Sequence, residues 1–418
     1  MSAAPRTVIV LGGSSSTHAR IPAQMVRAAG YRVILADTEP VIAPGAHDYF
    51  DAIECVITPA ERRILAGREL VAAGEAAPPI KPLDVLEPTR RKSLYGRLLL
   101  GWLRGRALAR LVRRVRPGLV HVQGMDVGGM ATYYYLRRMG ADPARRPGLM
   151  AHLFSYKPRF EGVRRREMAA LAACDVVHTS SPVVARIYRE NYDVPAEKLH
   201  LLVRGIDLDV FAPRDERTLA AARAEWGVPA GTFVIIHNRH LHRMYRVDLA
   251  VDTFIALAKQ GHDVFLLLVR GSMWQPDYEA ELLARLREQN LGARVALLPH
   301  VLSAPQMAVA LQLSDCSLNT VPWDAFPVSI LESMYCRAVP VVRDIESYYL
   351  FVADGETGFL CRGTGIEEYV EKTARLIRDP QLRQRLAEAG AARVAAEGNV
   401  EFYRCKLLEL VAQAWHTW

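Results

Sequence analysis

The feature that most limits what this chain can fold into is an alternation, run twice, of short apolar segments with helix-period segments. In the first half the apolar runs are 8–11, 32–36, 119–122, 149–153, 176–179 and 199–203. In the second they are 233–236, 264–269, 295–298, 316–318 and 339–342, with helical stretches such as 248–260 and 278–288 between them. Short continuous apolar runs fit strands buried on both faces, and strands separated by helices pair in parallel because each crossover returns the chain to the same edge. The predicted fold class is therefore α/β, with two doubly wound parallel sheets. A length of 418 residues is enough for two separate cores. The expected domains are 1–207 and 208–399, joined where Gly205 and Pro213 bracket a break in the pattern, with a helical 400–418 returning to the first domain. In such folds ligands bind beyond the carboxyl ends of the strands, so function belongs to the strand-to-helix loops, facing each other across a deep cleft.

Composition removes several other classes. Half of the residues are apolar and 23% are charged, the profile of a folded globular protein and not of a disordered or fibrous one. The first residues carry no apolar run of the secretory kind, and apolar runs such as 264–269 are far too short to span a bilayer. The six cysteines are scattered without C-x-x-C spacing, so reduced thiols, no zinc site and a cytoplasmic location are expected. Charge is unevenly placed: residues 1–207 carry a net +12 and residues 208–418 a net −4, together the +8 of the whole chain. Segment 88–125 holds ten Lys or Arg and no acid. Within it Leu108, Leu111, Val112 and Val115 have the spacing of a core-facing helix, whereas Leu94, Tyr95, Leu98 and Trp102 among bases suit an anionic membrane surface. Residues 88–116 are thus the expected contact for a peripheral location at the inner face of the membrane. No nucleic-acid-binding module accompanies the charge, so no nucleic acid is expected.

Four constellations carry chemistry. Gly12, Gly13 and His18 lie just after the first strand. Glycines there admit close approach of a ligand, and helix-start amides can hold an anion or a hydroxyl; a plain tight turn is the alternative. The loop is not G-x-G-x-x-G, which argues against a dinucleotide oxidoreductase. After run 316–318, Asp324 falls in a loop and Glu332 on a helix that starts near Val328. Ionised carboxylates accept strongly from sugar and ribose hydroxyls. Phe326 and Pro327 lead into the helix start, where the amides of Val328, Ser329 and Ile330 suit a diphosphate. After run 233–236 come Arg239, Arg243 and Arg246, cations for the same anion. His152 lies near the end of run 149–153, where a lone histidine is by itself a satisfied structural residue; His121, one strand earlier, is expected to be structural.

These motifs resemble the retaining glycosyltransferases of family 4 and their relatives. Asp324 and Glu332 occupy the two acidic positions of the frame E-G-F-P-x-x-x-L-E-A, and Arg239 matches the arginine of G-R-x-x-x-x-K-G. Residues 203–213 are similar to N-G-I-D-x-x-x-F-x-P, and 354–360 add support. The resemblance implies the GT-B fold of two Rossmann-like domains and the transfer of a sugar from a nucleotide-diphosphate sugar, a UDP- or GDP-sugar, to a hydroxyl acceptor that can be lipid-linked. It also implies retention by front-side attack with no metal or other cofactor. Asp324, Arg239 and His152 are the implied catalytic residues, and Glu332, Arg243, Arg246 and residues 326–330 hold the donor. Gly12, Gly13 and His18 form the acceptor or phosphate-side loop. Departures from the family pattern are Asp324 for Glu, Ala325 for Gly, Arg337 for the Gly of C-G-x-P, and Tyr245 at or next to the place of the lysine. They keep a second class open, a nucleotide-sugar-binding accessory subunit without turnover. A GT-B epimerase or phosphorylase has no specific motif here.

Overall fold

A computed structural model describes residues 6–14, 16–39, 42–56, 94–124, 128–140, 142–154, 161–298, 301–325 and 328–418. The chain divides into two units, Met1–Leu202 with Arg404–Trp418, and Val203–Tyr403.

In the first unit the elements run β1 (Thr7–Gly12), α1 (Thr17–Ala28), β2 (Arg32–Asp37), β3 (Ala52–Cys55), α2 (Leu94–Val115), β4 (Leu119–Gln123), α3 (Gly128–Met139), β5 (Gly148–Leu153), α4 (Glu161–Ala172), β6 (Val176–Thr179), α5 (Pro182–Tyr192) and β7 (Leu199–Leu201). They form a seven-stranded sheet in the order β3-β2-β1-β4-β5-β6-β7, every pair parallel. All of β1, β4 and β5 is buried, as continuous apolar runs require. Helix α2 crosses α3 at glycine: a Cβ on Gly105 would lie 2.6 Å from the Ala131 carbonyl oxygen. Leu108, Leu111 and Val112 of α2 are buried in the core. Trp102 is half-buried, with the guanidinium groups of Arg106 and Arg138 over its ring. Residues 88–93 lie outside the described residues, as do the side chains of Leu94 and Tyr95. Among the described residues no helix is long and apolar enough to cross a membrane.

The C-terminal residues complete this unit at the amino ends of its strands. Leu407, Val411 and Ala414 are fully buried. A Cβ on Gly118 would strike the Trp415 ring at 2.1 Å, and one on Gly148 the Ala414 carbonyl. Trp418 Nε1 donates to the Pro117 carbonyl at 2.6 Å, and Arg116 lies over the Trp418 ring.

The second unit runs α6 (Glu216–Glu225), β8 (Phe233–His237), α7 (Val247–Lys259), β9 (Val264–Val269), α8 (Pro276–Glu288), β10 (Val295–Leu298), α9 (Ala304–Gln312), β11 (Cys316–Asn319), α10 (Val328–Tyr335), β12 (Val339–Arg343), β13 (Phe359–Cys361), α11 (Glu367–Arg378), α12 (Pro380–Glu397) and the start of α13 (Val400–Gln413). Its sheet has the order β10-β9-β8-β11-β12-β13, again all parallel. Helix starts are capped from the sequence: Asp215 accepts from Thr218 N at 2.8 Å, Asp379 from Leu382 N at 2.8 Å, and Ser303 forms a capping box with Gln306, each filling otherwise orphaned amides. Asp315 accepts from Val234 N at 2.8 Å and so pins β11 against β8.

Both sheets are α/β doubly wound, as the alternation predicts. In each, strand order reverses beside the first strand: β2 and β4 flank β1, and β9 and β11 flank β8. At such a switch point the connecting loops part in opposite directions and leave a crevice at the carboxyl edge. Strands β3 and β13 are additional to those expected from the apolar runs.

Candidate functional site

The switch point of the second unit brings the end of β8 to the end of β11 and the start of α10. Asn238, directly after β8, donates from Nδ2 to the Ser329 carbonyl at 3.1 Å and to Ser333 Oγ at 3.0 Å, which fastens that loop to α10. Thr320, directly after β11, donates from Oγ1 to the Tyr245 and Arg246 carbonyls. Arg239 is therefore held against α10: its Nη1 donates to Ser329 Oγ at 3.2 Å and lies 2.8 Å from Asp324 Oδ2, the two side chains 13% and 15% exposed. The guanidinium also sits 4.7 Å over the Tyr245 ring, a cation–π contact that fixes its plane.

Burial raises the Asp324 carboxyl above its ordinary range, against the pull of Arg239. Ser347 Oγ donates to the Asp324 carbonyl at 2.7 Å, so the turn after β12 supports the acid loop from beneath. Next to Ser347, Tyr348 is fully buried, and its hydroxyl and Asn319 Nδ2 have no well-formed hydrogen bond. Glu332 stands one helical turn beyond Ser329 on α10. Burial pushes its carboxyl up to about 7, with Arg204 and Arg239 drawing it down. The first-turn amides of Val328, Ser329 and Ile330 have no acceptor within their own helix. Phe326 and Pro327 lie outside the described residues.

Arg243 and Arg246 are held elsewhere. Arg243 donates to Glu281 at 2.7 Å and covers the Tyr278 ring. Arg246 donates to both Asp248 oxygens, and Asp248 also accepts from the Tyr278 hydroxyl at 2.8 Å. Tyr245 turns its ring to Arg239, so it supplies a platform and no second cation. Arg204, Tyr245, Ser347 and Tyr348 are contributors that motif reading missed. The match of 203–213 to N-G-I-D was the one signal pointing toward Arg204, which stands at the motif's Asn.

In the first unit, Gly12 and Gly13 end β1 at the other switch point. A Cβ on Gly13 would meet Glu39 Oε1 at 2.4 Å, so the glycine makes room for a carboxylate. Ser14 N donates to Asp37 Oδ1 at 3.1 Å and Ser14 Oγ to Glu39 Oε2 at 2.9 Å. This loop is lined by acids, which fits hydroxyl donors better than a phosphate. His18 stacks on Phe154 at 4.3 Å and lies 5.3 Å from His152. His152 Nδ1 lies 3.0 Å from Gln123 Oε1; the amide oxygen accepts, which assigns the proton to Nδ1 and the lone pair to Nε2. His121 and His178 meet Nε2 to Nε2 at 3.0 Å, an arrangement in which one nitrogen donates and the other accepts, so at most one ring is charged. Burial lowers both, His121 to about 3. His121 is buried, 1% exposed, with Gln123 and His178 against its ring. Among the described residues, no three His, Cys, Asp or Glu side chains stand close enough to hold a metal ion.

Comparison with known proteins bears on the family and the fold. Residues 55–210 match the model of glycosyltransferase family 4 and residues 220–393 that of the glycosyl transferases group 1. A D-inositol 3-phosphate glycosyltransferase of Nocardiopsis dassonvillei is 24% identical over 251 residues, covering 58% of this chain and 57% of the relative. The chain thus aligns with little more than half the length of such curated relatives. A glycosyltransferase of Rickettsia africae superposes with TM-score 0.74 at 13% identity over 99% of both chains. HepE of Anabaena, solved in complex with UDP, superposes with TM-score 0.70 at 17% identity over 97% of this chain and 99% of that one. Those likenesses give the second, independent statement of the GT-B fold. With one family model on each half, the chain belongs to the group 1 glycosyl transferases of family 4.

Proposed function

We propose that this protein transfers a sugar from a nucleotide-diphosphate sugar to a hydroxyl acceptor, keeping the anomeric configuration and using no metal. The observation that carries the reading is the convergence of Arg239, Asp324 and Ser329 at the start of α10, with Glu332 one turn further along the same helix. Arg239 and the amides of Val328, Ser329 and Ile330 grip the diphosphate. Glu332 accepts from the ribose hydroxyls, and Asp324 from those of the sugar. As the bond from the anomeric carbon to the phosphate oxygen breaks, the guanidinium and amides stabilise the charge that gathers on the leaving diphosphate. The acceptor oxygen bonds the same face of the carbon, and its proton passes to the departing phosphate oxygen. His18 and His152, with the acid-lined loop at Gly12 and Gly13, receive the acceptor. UDP is the favoured nucleotide, on the analogy of the Anabaena protein crystallised with it. The basic stretch 88–116 would bring the protein to an anionic membrane face in the cytoplasm, where a lipid-linked acceptor is available.

The test is incubation with UDP-, GDP- and ADP-sugars and candidate acceptors in excess EDTA. Nucleotide release and an α- or β-product matching the donor are expected, and Asp324→Ala is expected to abolish both. Retention of the protein by anionic vesicles in physiological salt checks the membrane contact. A second reading, a nucleotide-sugar-binding accessory subunit, is favoured by Tyr245 at the lysine position and by the carboxylates that hold Arg243 and Arg246. Donor binding without turnover, whatever acceptor is supplied, would establish it.

A further inference from the structure

Arg239 and Asp324 stand at the centre of the second unit's site and are engaged with each other, 2.8 Å apart and both largely buried. A cation suited to a diphosphate is thus already neutralised, and an acid suited to sugar hydroxyls is already covered. The pairing is imperfect as well: the Arg239 N–H groups are poorly aligned on Asp324 Oδ2 despite the short distance, while Arg239 Nη1 donates to Ser329 Oγ. Charge at short range in a water-poor site holds the contact together, and taking away either partner leaves the other desolvated and unpaired.

Granting the nucleotide-sugar reading, on which this rests, we propose that Asp324 makes the grip on the diphosphate conditional on the sugar. Without a sugar it stays on Arg239 as an internal stand-in for phosphate. A bare nucleoside diphosphate must break that pair and then bear the repulsion of a carboxylate a few ångströms away, and it brings no sugar hydroxyl to replace the guanidinium at Asp324 Oδ2. An intact donor does bring hydroxyls. They bond Asp324, turn it from competitor into ligand, and leave the guanidinium to the diphosphate. The Tyr245 ring beneath Arg239 keeps the cation in place while its partner changes. Once the sugar has been transferred, Asp324 returns to Arg239 and favours release of the nucleotide.

Calorimetric titration of UDP, GDP and ADP and of their sugar conjugates into the wild type, Asp324→Asn and Asp324→Ser tests this, with thermal unfolding confirming that each variant is folded. In the wild type the sugar conjugate binds more tightly than the matching diphosphate. In both variants the bare diphosphate is expected to bind roughly tenfold more tightly than it does to the wild type, and the preference for the conjugate to shrink. A folded variant that binds the diphosphate no better than the wild type does would overturn the proposal and leave the function standing. If the wild type binds no nucleotide in either form, the functional reading itself fails, and this inference with it.

Discussion

Glu332 holds its proton up to about 7 because burial penalises the carboxylate more than Arg204 and Arg239 offset. Its folded value lies above the ordinary 4.5, so the folded chain binds this proton more tightly than the unfolded one, and Glu332's contribution to stability falls as pH rises from 4.5 through about 7. Ligand binding has the opposite sign, because an ionised carboxylate is the better acceptor for ribose hydroxyls. Affinity for a nucleotide sugar, whose doubly esterified diphosphate keeps its charge, is expected to rise by up to ~10-fold from pH 6 to pH 8. In Glu332→Gln it should be flat; titrations at several pH values decide this. The position of Glu332 was legible because an acid on the first turns of a helix, a fixed step after a loop acid, is a local pattern. The roles of Tyr348 and Arg204 were not, because each depends on a neighbour far away in the chain, which spacing does not reveal. The same holds for Arg243, whose carboxylate partner Glu281 lies far along the chain, whereas Arg246 is held by Asp248 only two residues on.

At the scale of elements, α10 joins both ends of the site, and its own end is strained. Arg337 follows the helix with φ of +67°, a left-handed conformation that costs an L-residue about 1 kcal/mol relative to glycine. Ala338 N still closes back to the Ser333 carbonyl at 2.9 Å, the bond that ends a helix in this way. Arg337→Gly is therefore expected to stabilise the second unit by about 1 kcal/mol, read as a higher unfolding midpoint with transfer activity unchanged. Here the departure from C-G-x-P has a conformational meaning that the sequence already carried. The strands at the sheet centres were equally legible, since burial on both faces forces an apolar run. The edge strands β3 and β13 were not: β3 is half-buried along its length and has Ile53 as its one large aliphatic side chain, and β13 is three residues long.

At the scale of the whole molecule, the first unit is discontinuous in sequence, built from Met1–Leu202 and closed by Arg404–Trp418. Deleting 404–418 removes the buried Leu407, Val411 and Ala414 and exposes the amino ends of β4 and β5 around Gly118 and Gly148. Loss of several buried apolar side chains costs several kcal/mol. The truncated chain is expected to show a lowered transition for the first unit and a near-native one for the second, separable by calorimetry or by proteolysis at rising temperature.

That discontinuity also sets an order of events on the ribosome. The residues that seal the first sheet are translated only after the entire second unit, which at about 5–20 residues per second means a delay on the order of tens of seconds. Throughout that interval the nascent first unit presents an uncovered seam to whatever chaperones attend it, while the continuous second unit is free to fold as soon as it emerges.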